Sequence, residues 1–268
     1  MPLVSADSLA DGGALPVDCR FDLADPDAGR RAFERGHIPG AAFAVLADDL
    51  SGPPGARGRH PLPSAEEFEA AAERLGIGAS TSVVAYDSGE GGAGRLWWLL
   101  RHFGHPHASV LDGGIDAWRA AGGSLETGPP RQRPAPAERF VARPRDDDAV
   151  SADDVRAGGV ALVDARVPER YRGDVEPLDP VAGHIPGARN LPFTAVAPGG
   201  RYRPIPELRA MLGEVGVDGS RDAAAYCGSG VTAATLVVAA EAAGLDVRLY
   251  PGSWSEWSRR GLPAERGG

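Results

Sequence analysis

Cys227 stands in the run Ala225-Tyr226-Cys227-Gly228-Ser229-Gly230-Val231-Thr232-Ala233, just after a short apolar stretch from Asp222 to Tyr226. An alanine-rich helix is predicted to follow from Val231 to Ala243. A strand–loop–helix turn of this kind aims successive backbone N–H groups and the positive end of the helix dipole at whatever the thiol carries. That setting favours the thiolate, which is the reactive form of cysteine. A free cysteine is ordinarily an inert core residue. Gly228 and Gly230 argue against that reading, because an open loop calls for them and a core position does not. Thr232 is placed either to add a hydroxyl to the loop or to cap the helix.

The elements that must hold this loop come from an internal repeat with a period near half the chain. Val17-Asp18-Cys19-Arg20 returns as Val163-Asp164-Ala165-Arg166, and Gly36-His37-Ile38-Pro39-Gly40-Ala41 as Gly183-His184-Ile185-Pro186-Gly187-Ala188. Val84-Ala85-Tyr86-Asp87 returns as Ala224-Ala225-Tyr226-Cys227. Leu111-Asp112-Gly113-Gly114 with Trp118 is echoed by Tyr250-Pro251-Gly252-Ser253 with Trp257. In the second half the pattern predicts strands at 161–165, 223–226 and 247–250, and helices at 206–213, 231–243 and 254–260. Alternating strands and helices imply an α/β fold in each half, a mostly parallel sheet flanked by helices on both faces. The stretch 126–148, with five prolines and scattered charges, reads as a Pro-rich linker between domains spanning 1–125 and 149–268.

Composition narrows the function class. The chain has 268 residues, is 43% hydrophobic and carries a net charge of −9, so nucleic acid is not expected as a partner. No apolar run approaches the roughly 20 residues of a membrane span, and the N-terminus has no signal-peptide pattern, so a cytoplasmic protein is expected. Cys19 and Cys227 are the only cysteines. That count gives no disulfide framework and no cysteine metal cluster, and the reading calls for no cofactor. Nothing in it requires more than a monomer.

Together these motifs resemble the tandem-domain sulfurtransferases of the rhodanese superfamily over nearly the whole chain: the two His-Ile-Pro-Gly-Ala segments, Asp112-Gly113-Gly114, and Cys227-Gly228-Ser229-Gly230-Val231-Thr232. The resemblance implies a rhodanese-like fold in each half and chemistry only in the second. The repeat agrees, since Asp87 occupies the place of Cys227 in the first half and cannot carry sulfur. Cys19 pairs with Ala165 and reads as structural. The implied reaction has two steps. Cys227 takes a sulfur from a small donor, 3-mercaptopyruvate or thiosulfate, and passes it to a thiol such as thioredoxin or glutathione, or to cyanide.

The resemblance also implies site residues. Backbone N–H groups of Gly228, Ser229, Gly230, Val231 and Thr232 would cradle the persulfide. The neutral pair Gly228-Ser229 matches the mercaptopyruvate branch, in which a serine–histidine–aspartate arrangement handles the departing enolate. Ser229 matches the serine and His60 the histidine, although His60 also reads as an ordinary loop histidine. The acidic position falls on Ala47, leaving Asp48 or Asp49 to supply the carboxylate. Arg170 matches one of two anion-binding arginines. The second falls near Asp179 and is absent, with Arg172 as a substitute or a plain surface charge. His37 and His184 recur in both halves and so read as loop-fixing rather than catalytic. Trp254 reads either as cleft-lining or as core.

Two other readings remain open on sequence. One is a persulfide carrier or partner-binding module without turnover. The other is a cysteine phosphatase or arsenate reductase, which would need an arginine closing a longer loop; none occurs between Cys227 and Arg248.

Overall fold

Four-residue apolar runs such as Val83–Tyr86 and Ala223–Tyr226 are buried along their whole length. That is the signature of parallel strands covered on both faces. A computed structural model describes residues 1–268 and groups them into two compact units. The first comprises 1–52, 62–145 and 199–202; the second comprises 53–61, 146–198 and 203–268. Each unit therefore includes a short segment from the other half of the sequence. The proline-rich 126–148 stretch contains no helix or strand.

In the first unit the elements run β1 (Leu3–Val4), α1 (Ala6–Ala10), β2 (Leu15–Asp18), α2 (Ala28–Arg35), β3 (Ala42–Phe43), α3 (Ala65–Leu75), β4 (Val83–Tyr86), α4 (Gly92–His102), β5 (Ala108–Leu111) and α5 (Gly114–Ala120). In the second they run α6 (Ala152–Ala157), β6 (Ala161–Asp164), α7 (Pro168–Arg172), β7 (Arg189–Asn190), α8 (Phe193–Val196), α9 (Ile205–Glu214), β8 (Ala223–Tyr226), α10 (Ala233–Ala242), β9 (Arg248–Leu249) and α11 (Ser253–Arg259). All strand pairings are parallel, in the orders β1-β5-β4-β2-β3 and β7-β6-β8-β9. A parallel bridge from Ala149 to Leu249 adds to the second sheet the edge that β1 forms in the first.

The repeated motifs build the same joints twice. Arg20 grips Asp18 and the Gly36 carbonyl (Nη2 to O 2.8 Å); Arg166 grips Asp164 and the Gly183 carbonyl (2.7 Å). Tyr86 and Tyr226 accept from the Ile38 and Ile185 amides through their hydroxyls, at 3.2 and 3.1 Å. His37 and His184 bond the Phe33 and Tyr171 carbonyls at 2.8 Å and stack on those same rings. The histidines therefore lock each loop to the helix before it, α2 in the first unit and α7 in the second. No helix is long and apolar enough to cross a membrane.

One face of the second sheet carries Leu162, Ala224 and Tyr226 against Val155, Trp254 and Trp257 of α6 and α11. The other face is served by α10, which packs on β8, β9, α8 and α9. Residues 233–240 of that helix are all buried, as expected where apolar residues run all the way round. The helix starts at Ala233, two residues later than the sequence pattern suggests, because 227–232 are spent on the loop.

Candidate functional site

Strand β8 delivers Cys227 to the start of a tight loop, and the rest of the loop folds back on the sulfur. The Gly230 amide donates to Cys227 Sγ at 3.1 Å. Gly230 adopts φ +77°, and a side chain there would bring its first carbon within 2.3 Å of the Pro251 carbonyl oxygen. Glycine is thus required twice over, for conformation and for space. Cys227, Gly228, Ser229, Gly230 and Val231 are all buried, the cysteine to 2% exposure. Thr232 begins α10 in helical geometry (φ −70°, ψ −22°) without a side-chain cap bond. Its hydroxyl does not serve as the expected cap, because a capping side chain needs an extended backbone at that residue.

A second turn, Tyr250 to Ser253, braces the first. Ser253 Oγ donates to the Tyr250 carbonyl at 2.8 Å and accepts from the Cys227 amide at 3.1 Å. The Trp254 and Ser255 amides donate to the Cys227 and Gly228 carbonyls at 3.0 and 2.9 Å. Ser253 has φ +53° and is the one non-glycine residue in the chain with positive φ. Gly114 takes φ +54° at the repeated position. A serine held where the first copy keeps glycine implies a local cost of about 1–2 kcal/mol, retained beside Cys227. Sequence reasoning missed Ser253, although the pairing of Gly113-Gly114 with Gly252-Ser253 carried the signal.

Residues 53–61 form a strap within the second unit. Gly55 and Gly58 exchange backbone bonds of 3.0 Å, the Arg59 amide donates to Ser255 Oγ at 3.1 Å, and Arg259 Nη1 donates to the Gly55 carbonyl at 3.2 Å. Held against α11 in this way, His60 shares a hydrogen bond of 2.8 Å between Nδ1 and Ser229 Oγ. The structure thus brings together Cys227, Ser229 and His60, the last from far away in sequence. Asp49 accepts from the Val45 amide at 2.8 Å and from Arg74 at 2.7 Å; Asp48 is exposed.

Charge surrounds Gly228 although the loop itself is neutral. Arg170 Nη2 donates to Glu176 Oε1 at 2.6 Å and lies 3.4 Å from Asp179 Oδ2. Asp179 also pairs with Arg59, and Glu176 with Arg166 at 3.3 Å. A side chain on Gly228 would put its first carbon 2.9 Å from Arg59 Nη2 and 3.3 Å from Arg170 Nη1. Arg172 points elsewhere: it is half-exposed and pairs with Asp174 at 2.9 Å, so it does not stand in for a second arginine. Arg59, which sequence reasoning did not consider, is the guanidinium next to Arg170. Trp254 is fully buried, donates to the Val181 carbonyl at 2.9 Å and lies under Arg166, which makes it core.

The same place in the first unit is filled by Asp87. Its carboxylate accepts from the Gly89, Gly91 and Ala93 amides, each at 2.9 Å. Burial raises its pKa despite those bonds. The first copy thus keeps the cradle of amides and fills it with its own anion. Cys19 is 1% exposed, and burial, with Asp18, Asp87 and Asp49 nearby, pushes its thiol pKa well up. It has the environment of an inert core thiol.

Comparisons with known proteins identify the family to which the chain belongs. The rhodanese-like domain model matches twice, over residues 5–121 and 149–260. A Mycobacterium tuberculosis relative bearing the name "Putative thiosulfate sulfurtransferase SseB" is 47% identical over 251 residues, covering 90% of this chain and 87% of that one. The human protein named 3-mercaptopyruvate sulfurtransferase is 40% identical over 249 residues, covering 88% and 82%. Among solved structures, SseA from Escherichia coli, titled for the rhodanese fold and catalytic mechanism of 3-mercaptopyruvate sulfotransferases, superposes with a TM-score of 0.82 at 32% identity. That match covers 96% of this chain and 100% of that one.

Proposed function

This chain belongs to the rhodanese family and is a sulfurtransferase, and from that membership we propose that Cys227 carries the sulfur and that 3-mercaptopyruvate is the preferred donor. The observation that carries the donor assignment is the 2.8 Å bond between Ser229 Oγ and His60 Nδ1, two residues beyond the sulfur in a loop with no basic side chain of its own.

The chemistry divides between the loop and that pair. The Cys227 thiolate attacks the sulfur of the donor, an S–S bond forms, and the donor's C–S bond breaks with its electron pair leaving on carbon. The product is the enolate of pyruvate, which must gain a proton. Ser229, relayed by His60, is placed to supply it, a contribution of the general acid–base type. Loss of the sulfur-bound proton leaves an anionic persulfide in the amide cradle; the Gly230 amide, which donates to Cys227 Sγ at 3.1 Å, supports this reading. Cyanide or a thiol then takes the outer sulfur and restores the thiolate, so donor and acceptor act in turn. Thioredoxin and glutathione are the acceptor types this reading favours.

A second reading has thiosulfate as donor. It draws on the guanidiniums of Arg59 and Arg170 beside Gly228, which suit a sulfonate as well as a carboxylate. Thiosulfate leaves as sulfite and needs no proton from Ser229. The test is thiocyanate formation from each donor with cyanide, in wild type and in Cys227→Ser. Turnover favouring 3-mercaptopyruvate and abolished in Cys227→Ser supports the first reading, and turnover favouring thiosulfate supports the second. Activity that survives Cys227→Ser refutes both.

A further inference from the structure

We infer that Arg59 is a donor-binding residue that forms a two-guanidinium fork with Arg170, and that this fork selects donors carrying a single negative charge. The inference rests on the reading of Cys227 as the sulfur carrier.

Both side chains are mostly buried, at 17% and 15% exposure, and each is tied down by one end only. Arg59 spends Nη1 on Asp179, and Arg170 spends Nη2 on Glu176 and Asp179. Their other ends, Nη2 of Arg59 and Nη1 of Arg170, converge on the space over Gly228, the residue after the sulfur. Arg170 Nε is buried without a hydrogen-bond partner, so this guanidinium has donors left to give. Two planar donor groups side by side suit an oxyanion with two oxygens, and the absence of a side chain at Gly228 is what lets both guanidiniums come this close to the loop that carries the sulfur.

Asp179 positions the fork. Its carboxylate is fully buried and holds both arginines, at the place where the family resemblance leads one to expect an arginine. The cation has in effect moved to the strap, one residue before His60. The charge balance then sets the donor class. Arg59, Arg166 and Arg170 face Asp164, Glu176 and Asp179, three charges against three. A monoanion entering this neutral, largely buried cluster leaves one net negative charge. A dianion leaves two and pays more desolvation.

The test compares steady-state thiocyanate formation by wild type, Arg59→Ala, Arg59→Lys and Cys227→Ser, with inhibition by pyruvate as a non-reacting carboxylate. Arg59→Ala is expected to raise KM for 3-mercaptopyruvate and the pyruvate inhibition constant together, by about tenfold or more, with kcat much less affected. Arg59→Lys keeps the charge but not the fork and should fall between; it also serves as the probe if the alanine variant does not fold. The inference is overturned if both constants stay at wild-type values in the folded variants, or if the loss appears in kcat alone. Abolition of activity by Cys227→Ser keeps such a failure separate from a failure of the sulfur-carrier reading, which survival of that activity would signal.

Discussion

Replacing Gly230 with alanine should damage this protein more than its φ alone predicts. At +77° an alanine pays about 1–2 kcal/mol for left-handed backbone. Its methyl would also lie 2.3 Å from the Pro251 carbonyl oxygen, so the two turns must part by roughly 1 Å to reach ordinary contact. Relieving an overpacked contact of that kind costs about 1–3 kcal/mol more. The total, about 2–5 kcal/mol, is a large part of the stability of an ordinary domain. Gly187→Ala is the control, because Gly187 has the same φ of +77° with nothing within 4 Å of the new methyl. Chemical denaturation should show a loss of about 1–2 kcal/mol for Gly187→Ala and at least 1 kcal/mol more for Gly230→Ala. Because the Gly230 amide is the donor to Cys227 Sγ, displacing it by such a distance should also slow turnover by about 10²-fold. The reasoning fails if Gly230→Ala costs no more than Gly187→Ala, or if it loses stability with turnover unchanged.

Ser229→Ala should lower kcat/KM for 3-mercaptopyruvate by about 10²-fold or more, since the enolate loses its proton source. Release of sulfur from a preformed persulfide to cyanide should hardly change; an equal loss in both half-reactions would place Ser229 in the cradle instead. For Asp87, the folded-state pKa lies above its ordinary 3.8, so the folded state holds that proton more tightly than the unfolded one. Its contribution therefore favours folding most at acid pH and is lost as pH rises from about 3.8 through the raised folded value. The stability of wild type relative to Asp87→Asn should fall across that window; a difference that is flat or rises with pH would contradict the assignment.

Much of the site could be read from the chain because duplication makes equivalences explicit. The paired Asp-x-Arg, His-Ile-Pro-Gly-Ala and Tyr-Asp or Tyr-Cys segments locate two sheets and single out one candidate nucleophile, Cys227, without any structural input. His60 and Ser229 were legible as residue types matching a family pattern, but their meeting depends on a strap held by Ser255 and Arg259, which no local pattern encodes. Arg59 is not legible as a site residue because the place where the family pattern has a second arginine holds a carboxylate, Asp179, and Arg59 lies 120 residues away in sequence. A buried carboxylate demands a partner, so Asp179 was itself a pointer to an arginine from elsewhere. Thr232 shows the opposite error. A threonine before an apolar helix looks like a cap, yet the loop's need to wrap the sulfur leaves that residue already helical.

The central claim is that sulfur rests on Cys227 and nowhere else. Reduced protein incubated with 3-mercaptopyruvate and no acceptor, then digested and weighed by mass spectrometry, tests it directly. The account predicts that the peptide containing Cys227 gains one sulfur atom, that cyanide removes it, and that the peptide containing the buried Cys19 is unchanged. A Cys227 peptide that never gains sulfur, or sulfur found on Cys19 instead, would contradict it.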